Sequence, residues 1–588
     1  MKYNEKEFFE AVKNYKNAIG NAKGKDFLII FSLKDKDAFY SIAPLSRAVH
    51  DLKGEMSALG FNGSSDSFNA LLDVWSANEE IKKGIISENA RALNEFIEEA
   101  DKKCGGKFKQ IFEKPLILKA EKGAFHGDLK LPFDSSWVKE YRIEELKETA
   151  KVLWKEVYNI KSSEKVGIGF CLIPDEEMLG RHLEDYLDSY IISRAMIQMC
   201  SGKEVFVSAS TQRQSMLEES EKTSDLRATL LGCELEKEID EPIFRKFRKV
   251  SEILKLGRIK PVDATFFISG KGYPGRHLFG ERIGYPTLNK KSRWQSPGQI
   301  IYKLDFYSQT KLEDRDPMAR VGFTETIPID IFIETNLVDW ADIRARNQRI
   351  KDILDKCDRV FVKGKLKEKH VTQLEVSLVK QDGRRRWVRR SDTDVREKIN
   401  KEYLQMEGIK AGNMANIPGG EAFTTPESIK GKFVGDIVIH VDQSYILNEK
   451  NPIVVECYGD HYKIIEGPKE IIQKIEKRKN EAMKLLLEAE RYKSLPRDII
   501  ELKKKNFERV GEFAINTNPK AKLCDYLIVN EKIANMMHIA LGSGFEPDRD
   551  TIYHMDIVFN APRQKLDVFG IDKSSKEHWI LKEGEFIA

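Results

Sequence analysis

Two histidines and three acids in the last third of the chain are of types that hold metal ions. His554-Met555-Asp556 sets two ligand-forming side chains two residues apart, and Ile557-Val558-Phe559 continues the stretch as strand text. In a strand, residues two apart point to one face, so both side chains can reach a single ion. An H-x-D pair arises often by chance. His538 stands in Glu531-Lys532-Ile533-Ala534-Asn535-Met536-Met537-His538-Ile539-Ala540-Leu541-Gly542, where small and apolar residues enclose a lone imidazole. Taken alone it reads as a satisfied core histidine. Glu512 lies in Val510-Gly511-Glu512-Phe513-Ala514-Ile515, an acid inside an apolar strand. Glu421 lies in Asn416-Ile417-Pro418-Gly419-Gly420-Glu421-Ala422-Phe423-Thr424-Thr425-Pro426. An acid among apolar neighbours is costly to bury unless it is paired or metal-bound, and either explanation serves for each acid singly.

In order and spacing, these stretches together resemble the metal-binding domain of the thermophilic metallo-aminopeptidase family (the aminopeptidase T, aminopeptidase S and PepS type). The resemblance spans Asn413 to Phe559. It continues more faintly upstream in Phe323-Thr324-Glu325-Thr326-Ile327-Pro328 and in Val362-Lys363-Gly364 followed by Thr372 and Leu374. The glutamate of the family's N-x-P-x-x-E-x-F-T-x-P stretch falls on Glu421. That of its G-E strand falls on Glu512. The histidine of its H-I-A-x-G stretch falls on His538, and its closing H-x-D on His554 and Asp556. The resemblance implies that these five are metal ligands; Glu512 is the candidate for a ligand bridging two divalent ions and Glu421 a candidate ligand for assisting proton transfer, roles that the sequence leaves open. It implies hydrolysis of the N-terminal bond of peptides with a free N-terminus, and a homodimer. The family's metal-centre tyrosine, seven residues after the H-I-A-x-G histidine, is Phe545 here, which marks a divergent member.

The donor set is consistent with that expectation. Three carboxylates and two imidazoles suit zinc, cobalt or manganese better than a soft thiolate site would. A pair of such ions can activate a water and polarise a scissile carbonyl, and one can take a substrate's free α-amine. A second enzyme reading keeps the fold and makes His538, His554 and Asp556 a two-histidine, one-carboxylate iron site of a ring-opening dioxygenase. Glu421 and Glu512 argue against it, since a single iron needs neither. A third reading is a catalytically silent peptide-binding relative, against which stands the presence of all five ligand types.

The elements that must position these residues change in character along the chain. Phe8, Val12, Tyr15 and Ile19 recur at helical spacing, and Phe27–Phe31 reads as a buried strand. Helical text runs from Ser67 to Cys104, and Pro115-Leu116-Ile117-Leu118 reads as a strand. Strand text at Val166–Ile173, a helix lined by Leu179, Leu183, Leu187, Tyr190 and Ile191, and strand text at Val205–Val207 predict parallel strands in a layered α/β domain. Trp340–Cys357 reads as a helix, and Leu374, Val376 and Leu378 alternate as in a half-buried strand. After Glu407, glycines and prolines crowd together and short strands dominate, interrupted by one charged helix at Lys469–Lys493. The expected fold is an α/β N-terminal region followed by an α+β metal-binding C-terminal domain. The expected boundaries are 1–160 for an N-terminal extension, 161–408 for an α/β domain resembling the family's N-terminal domain, and 409–588 for the catalytic domain.

At 588 residues the chain exceeds one core. A net charge of +4 gives no footprint for nucleic acid or anionic lipid. Gly383-Arg384-Arg385-Arg386-Trp387-Val388-Arg389-Arg390 is the local exception, read as a solvated hairpin edge. Gly270–Arg293, with Arg276, His277 and Arg293, reads as glycine- and proline-rich turns rather than a substrate loop. The start of the sequence shows no apolar secretory core, and no apolar run approaches the ~20 residues that span a bilayer. Seven cysteines without C-x-x-C spacing predict reduced thiols and a cytoplasmic protein.

Overall fold

The computed structural model describes residues 2–23, 25–61, 116–121, 124–128, 131–176, 182–210, 264–269, 320–391, 413–491, 497–544, 546–549 and 551–588. The expected helix over 67–104 and the Gly270–Arg293 segment lie outside the described residues. Helix and sheet are mixed, with most helices before residue 357 and a sheet-rich C-terminal part. Two compact units emerge. One holds the described residues of Met1–Pro274, Asn289–Ile333 and Val395–Met414, the other those of Glu334–Asp394 and Ala415–Ala588. Among the described residues no helix is long and apolar enough to cross a membrane.

In the first unit, helix Glu5–Ile19 buries Phe8, Val12 and Tyr15 of the expected stripe, and its last member, Ile19, is half-buried at the helix end. Asn4 caps it, its side chain accepting from the Glu7 amide. Strand Lys25–Ser32 buries Phe27, Ile29 and Phe31. Nine strands form one sheet, in the order Asn413–Asn416, Arg320–Glu325, Ala264–Ser269, Lys165–Cys171, Glu204–Ser210, Glu55–Phe61, Lys25–Ser32, Leu116–Glu121 and Ala124–Asp128. Lys165–Cys171 and Glu204–Ser210 pair in parallel across helix Leu183–Met199, as the strand-helix-strand pattern predicts. Glu204–Ser210 then meets Glu55–Phe61 antiparallel. The sheet is therefore mixed.

The second unit is built on two antiparallel sheets. The first runs in the order His461–Glu466, Ile453–Gly459, Ser428–Gly435, His370–Ser377, Cys357–Leu366, Asp567–Asp572, Glu577–Lys582 and Glu585–Phe586. The second runs Val388–Ser391, Glu421–Thr424, Val510–Asn516, Met536–Gly542, His554–Asn560, Val438–His440 and Ser444–Ile446. The sheets share a core in which Phe433 meets Phe559 at 5.6 Å between ring centroids. A Cβ on Gly435 would stand 2.3 Å from Ile557 Cγ2, so only glycine permits that approach. The strands of residues 357–366, 370–377 and 388–391 belong to these sheets. Among the described residues, the second unit thus takes up 334–391 and then everything from Ala415 on.

A candidate metal centre

Register brings the five singled-out residues to one face of the seven-stranded sheet. Glu421 pairs with Asn516, Ala514 with His538, Glu512 with Ala540, Ala540 with Asp556, and Gly542 with His554. Facing residues share a face, and so do residues two apart along a strand. Glu421, Glu512, Asn516, His538, His554 and Asp556 are therefore co-facial. Ala514 and Ala540 lie on the same face, and their small side chains leave room for the longer ones. The alternate positions Phe513, Ile515, Ile539, Leu541, Ile557 and Phe559 are buried, which makes the register costly to shift. Two glycines permit close packing beside the acids. A Cβ on Gly420 would meet Asn518 Cβ at 2.6 Å, and one on Gly511 would meet the Ser543 carbonyl oxygen at 2.1 Å.

The side chains converge. His538 Nε2 lies 3.4 Å from Glu512 Oε1, 3.6 Å from Glu421 Oε2 and 4.0 Å from Asp556 Oδ1. His554 Nε2 lies 3.3 Å from both Glu512 Oε2 and Asp556 Oδ1. Glu512 thus turns one oxygen to each imidazole. Among the described residues, three donor groups could each hold an ion: Glu421–Glu512–His538, Glu512–His554–Asp556 and Glu531–His538–Asp556. Glu421, Glu512, His538 and Asp556 are buried, and His554 is only partly so.

The outer nitrogens of both imidazoles are tied. His554 Nδ1 donates to the Ser543 carbonyl at 2.7 Å, and His538 Nδ1 donates to Asn516 Oδ1 at 2.8 Å. These bonds turn each Nε2 toward the acids, as the nitrogen that would bind an ion once its proton is lost. His538 Nε2, Glu421 Oε2 and both Asp556 oxygens are buried without a hydrogen-bond partner. Buried polar atoms are rarely left so. An ion bound among them would satisfy all four, so the donor set and its bonding fit a divalent metal.

The electrostatics carry the same imprint. Burial, only partly offset by Lys532, pushes Glu421 up to about 8. Burial alone would lower His538, but Glu512, Glu421 and Asp556 reverse this and push it up to about 9. His554 rises well above the usual histidine range, because Asp556 and Glu512 outweigh its burial. Burial would raise Asp556, yet His554 and His538, aided by His440, hold it well below the usual carboxylate range. Protons here stand in for missing positive charge.

Three participants were not singled out from sequence. Glu531 belongs to the third donor group. Lys532 is fully buried, its Nζ 2.7 Å from Glu421 Oε1 and 2.5 Å from Glu531 Oε1. In sequence, adjacent Glu531-Lys532 looks like a solvated pair of opposite charges. Continuing the register of Val438 with Val558 and Ile439 with Ile557 sets His440 across from Asp556. Phe545 lies outside the described residues. In the basic run, Arg384 is exposed and strand Val388–Ser391 lies at a sheet edge, as expected, and Arg386 alone departs from that reading. Arg386 is buried, and its guanidinium donates to Glu427, Glu546 and Asp548 at 2.7–3.0 Å.

No protein-family model matches the chain, and no curated protein matches it. Among solved structures, wild-type AmpT from Thermus thermophilus aligns with a TM-score of 0.41 at 13% identity, over 76% of this chain and 100% of that one. A likeness this weak assigns neither family nor activity.

Proposed function

We propose that the chain is a metal-dependent aminopeptidase, removing N-terminal residues from peptides at a centre of two divalent ions held by Glu421, Glu512, His538, His554 and Asp556. The observation that carries this reading is the position of Glu512, whose two oxygens face two different imidazoles at 3.4 and 3.3 Å. That arrangement suits a carboxylate shared between two ions. Charge supports the number. The centre gathers four carboxylates, counting Glu531, against one fixed cation, Lys532. One divalent ion would leave a negative balance in a buried site, and two would not.

When bound, such ions supply Lewis acidity and a water activated near neutral pH. The chain's own residues do the rest. The Asn516 and Ser543 acceptors orient the imidazoles, and burial of the acids excludes bulk water. With Oε1 held by Lys532, Glu421 Oε2, facing the centre without a hydrogen-bond partner, is the oxygen that Glu421 would offer to an ion. The substrate class rests on the order and spacing of the sequence motifs. A mononuclear iron site of two histidines and one carboxylate leaves the placement of Glu512 unexplained.

The test is hydrolysis of unblocked dipeptides and aminoacyl amides by chelated protein, before and after adding zinc, cobalt or manganese. Activity is expected only with metal and only on free N-termini. Full activity in metal-free protein, or efficient internal cleavage of acetylated peptides, would overturn the proposal.

A further inference from the structure

Lys532 is the one component of the centre that a metal site does not require. An ammonium beside metal ligands repels the incoming ions, and a fully buried lysine is rare unless paired. Its pairing is specific. Nζ takes Glu421 Oε1 at 2.7 Å and Glu531 Oε1 at 2.5 Å. Glu421 Oε2 keeps no hydrogen bond and points at His538 Nε2. One oxygen of Glu421 is occupied and the other presented. Glu531 is held similarly, with Asn416 Nδ2 also reaching its Oε1 at 3.4 Å. The backbone around the lysine is fixed too. Its amide donates to the Val529 carbonyl, and its own carbonyl accepts from the Asn518 amide at 2.9 Å.

We propose that Lys532 is a positioning residue with two effects. It blocks one oxygen of Glu421 and one of Glu531, so each offers a single oxygen to metal. It also supplies the fixed positive charge that lets the carboxylate cluster stay folded before any ion binds. The inference rests on the metal-centre reading and goes beyond it. A carboxylate free at both oxygens can chelate one ion or tilt between two. A carboxylate with one oxygen held by an ammonium is biased against both, because an ion at that oxygen would share it with a cation, and so it favours one place for the ion.

The experiment compares full-length wild type with Lys532→Met, which keeps much of the side-chain volume and removes the charge. Thermal unfolding is followed in excess chelator and with saturating zinc, and the visible absorption of the cobalt-loaded protein reports ligand geometry. In chelator, Lys532→Met is expected to unfold on the order of 5–10 °C below wild type, as for loss of one partner from a buried ion pair. With zinc the gap should shrink, because the ions then supply the missing charge. The cobalt bands should shift in position or intensity, since Glu421 is freed to bind through both oxygens.

Equal unfolding temperatures in chelator together with an unchanged cobalt spectrum would overturn the proposal. So would a deficit of the same size in chelator and in zinc with that same spectrum, which marks a merely structural lysine. If Lys532→Met does not fold, the comparison passes to the double variant Lys532→Met/Glu531→Gln against Glu531→Gln alone. A cobalt spectrum that differs between those two supports the placing role, and identical spectra reject it. Wild type that binds neither zinc nor cobalt would instead defeat the metal-centre reading, and the placing role with it, whatever the stabilities in chelator.

Discussion

At the scale of single residues, the centre is a set of donors whose spare atoms all point inward. Glu512 is the sharpest case. Glu512→Gln keeps the shape and removes the charge facing both imidazoles. Metal content measured by mass spectrometry is expected to fall, and turnover to drop by more than the roughly 10–100-fold that loss of an outer hydrogen-bond partner costs. Near-normal turnover with two ions bound would remove Glu512 from the bridging role. Asn516 is such an outer partner. Asn516→Ala frees His538 Nδ1, so metal affinity in a competitive chelator titration should weaken by about 10–100-fold. Unchanged affinity would mean that the Asn516 bond does not orient the ring.

The same residues set a pH dependence for the metal-free protein. Glu421 sits at about 8 against an ordinary 4.5, and His538 at about 9 against 6.5. Both are raised in the folded state, so the folded protein holds more protons than the unfolded chain. Stability that is full below the ordinary values is lost as pH rises, through about 8 for Glu421 and about 9 for His538. Asp556 is lowered, so its contribution is lost only in acid. In chelator, the melting temperature should therefore fall between about pH 5 and pH 9. Because bound metal requires deprotonated ligands, stabilisation by zinc should grow over the same range. A flat chelated profile would show that the cluster does not hold these protons.

At the scale of elements, the segment joining the His538 and His554 strands matters most. Its Ser543 carbonyl accepts from His554 Nδ1. Farther along, Glu546 and Asp548 are gripped by Arg386, Glu546 also accepts from the Trp387 amide at 2.9 Å, and Lys380 Nζ stands 2.6 Å from Glu546. Arg549 ties the same segment to Glu427, reaching its carbonyl at 2.6 Å. Buried charges held this way are costly to break on one side, about 3–5 kcal/mol. Arg386→Met should lower stability by roughly that amount in urea unfolding and weaken metal binding through His554. Loss of stability with unchanged metal affinity would show that the clamp does not reach the imidazole.

At the scale of the whole molecule, the five donors, Glu531, Lys532 and their hydrogen-bond partners all fall within the second unit. Binding to the folded state alone raises stability by mass action, and the gain should appear where the ligands are. Zinc is expected to slow amide exchange in strands Val510–Asn516, Met536–Gly542 and His554–Asn560, with strand Lys165–Cys171 of the first unit unchanged. Hydrogen-exchange mass spectrometry with and without zinc tests this. Equal protection in both units would show that the ion acts on the whole chain.

What the sequence determined by itself is what local covalent geometry repeats. Helical spacing put Phe8, Val12 and Tyr15 on one buried stripe, and the two-residue period put His554 and Asp556 on one strand face. Motif order picked out the residues that converge. Tertiary structure decided what depends on which strands are neighbours. The sequence does not say that Glu421 lies beside Asn516, that Glu512 turns one oxygen to each imidazole, or that His440 stands opposite Asp556. It does not show that Lys532 and Arg386 are buried, because a charged side chain looks the same in a solvated pair and in a dry one. Alternation is fixed by bonds between adjacent residues. Register and burial are fixed by pairings between residues far apart in the chain, and those exist only once the sheets have closed on their shared core.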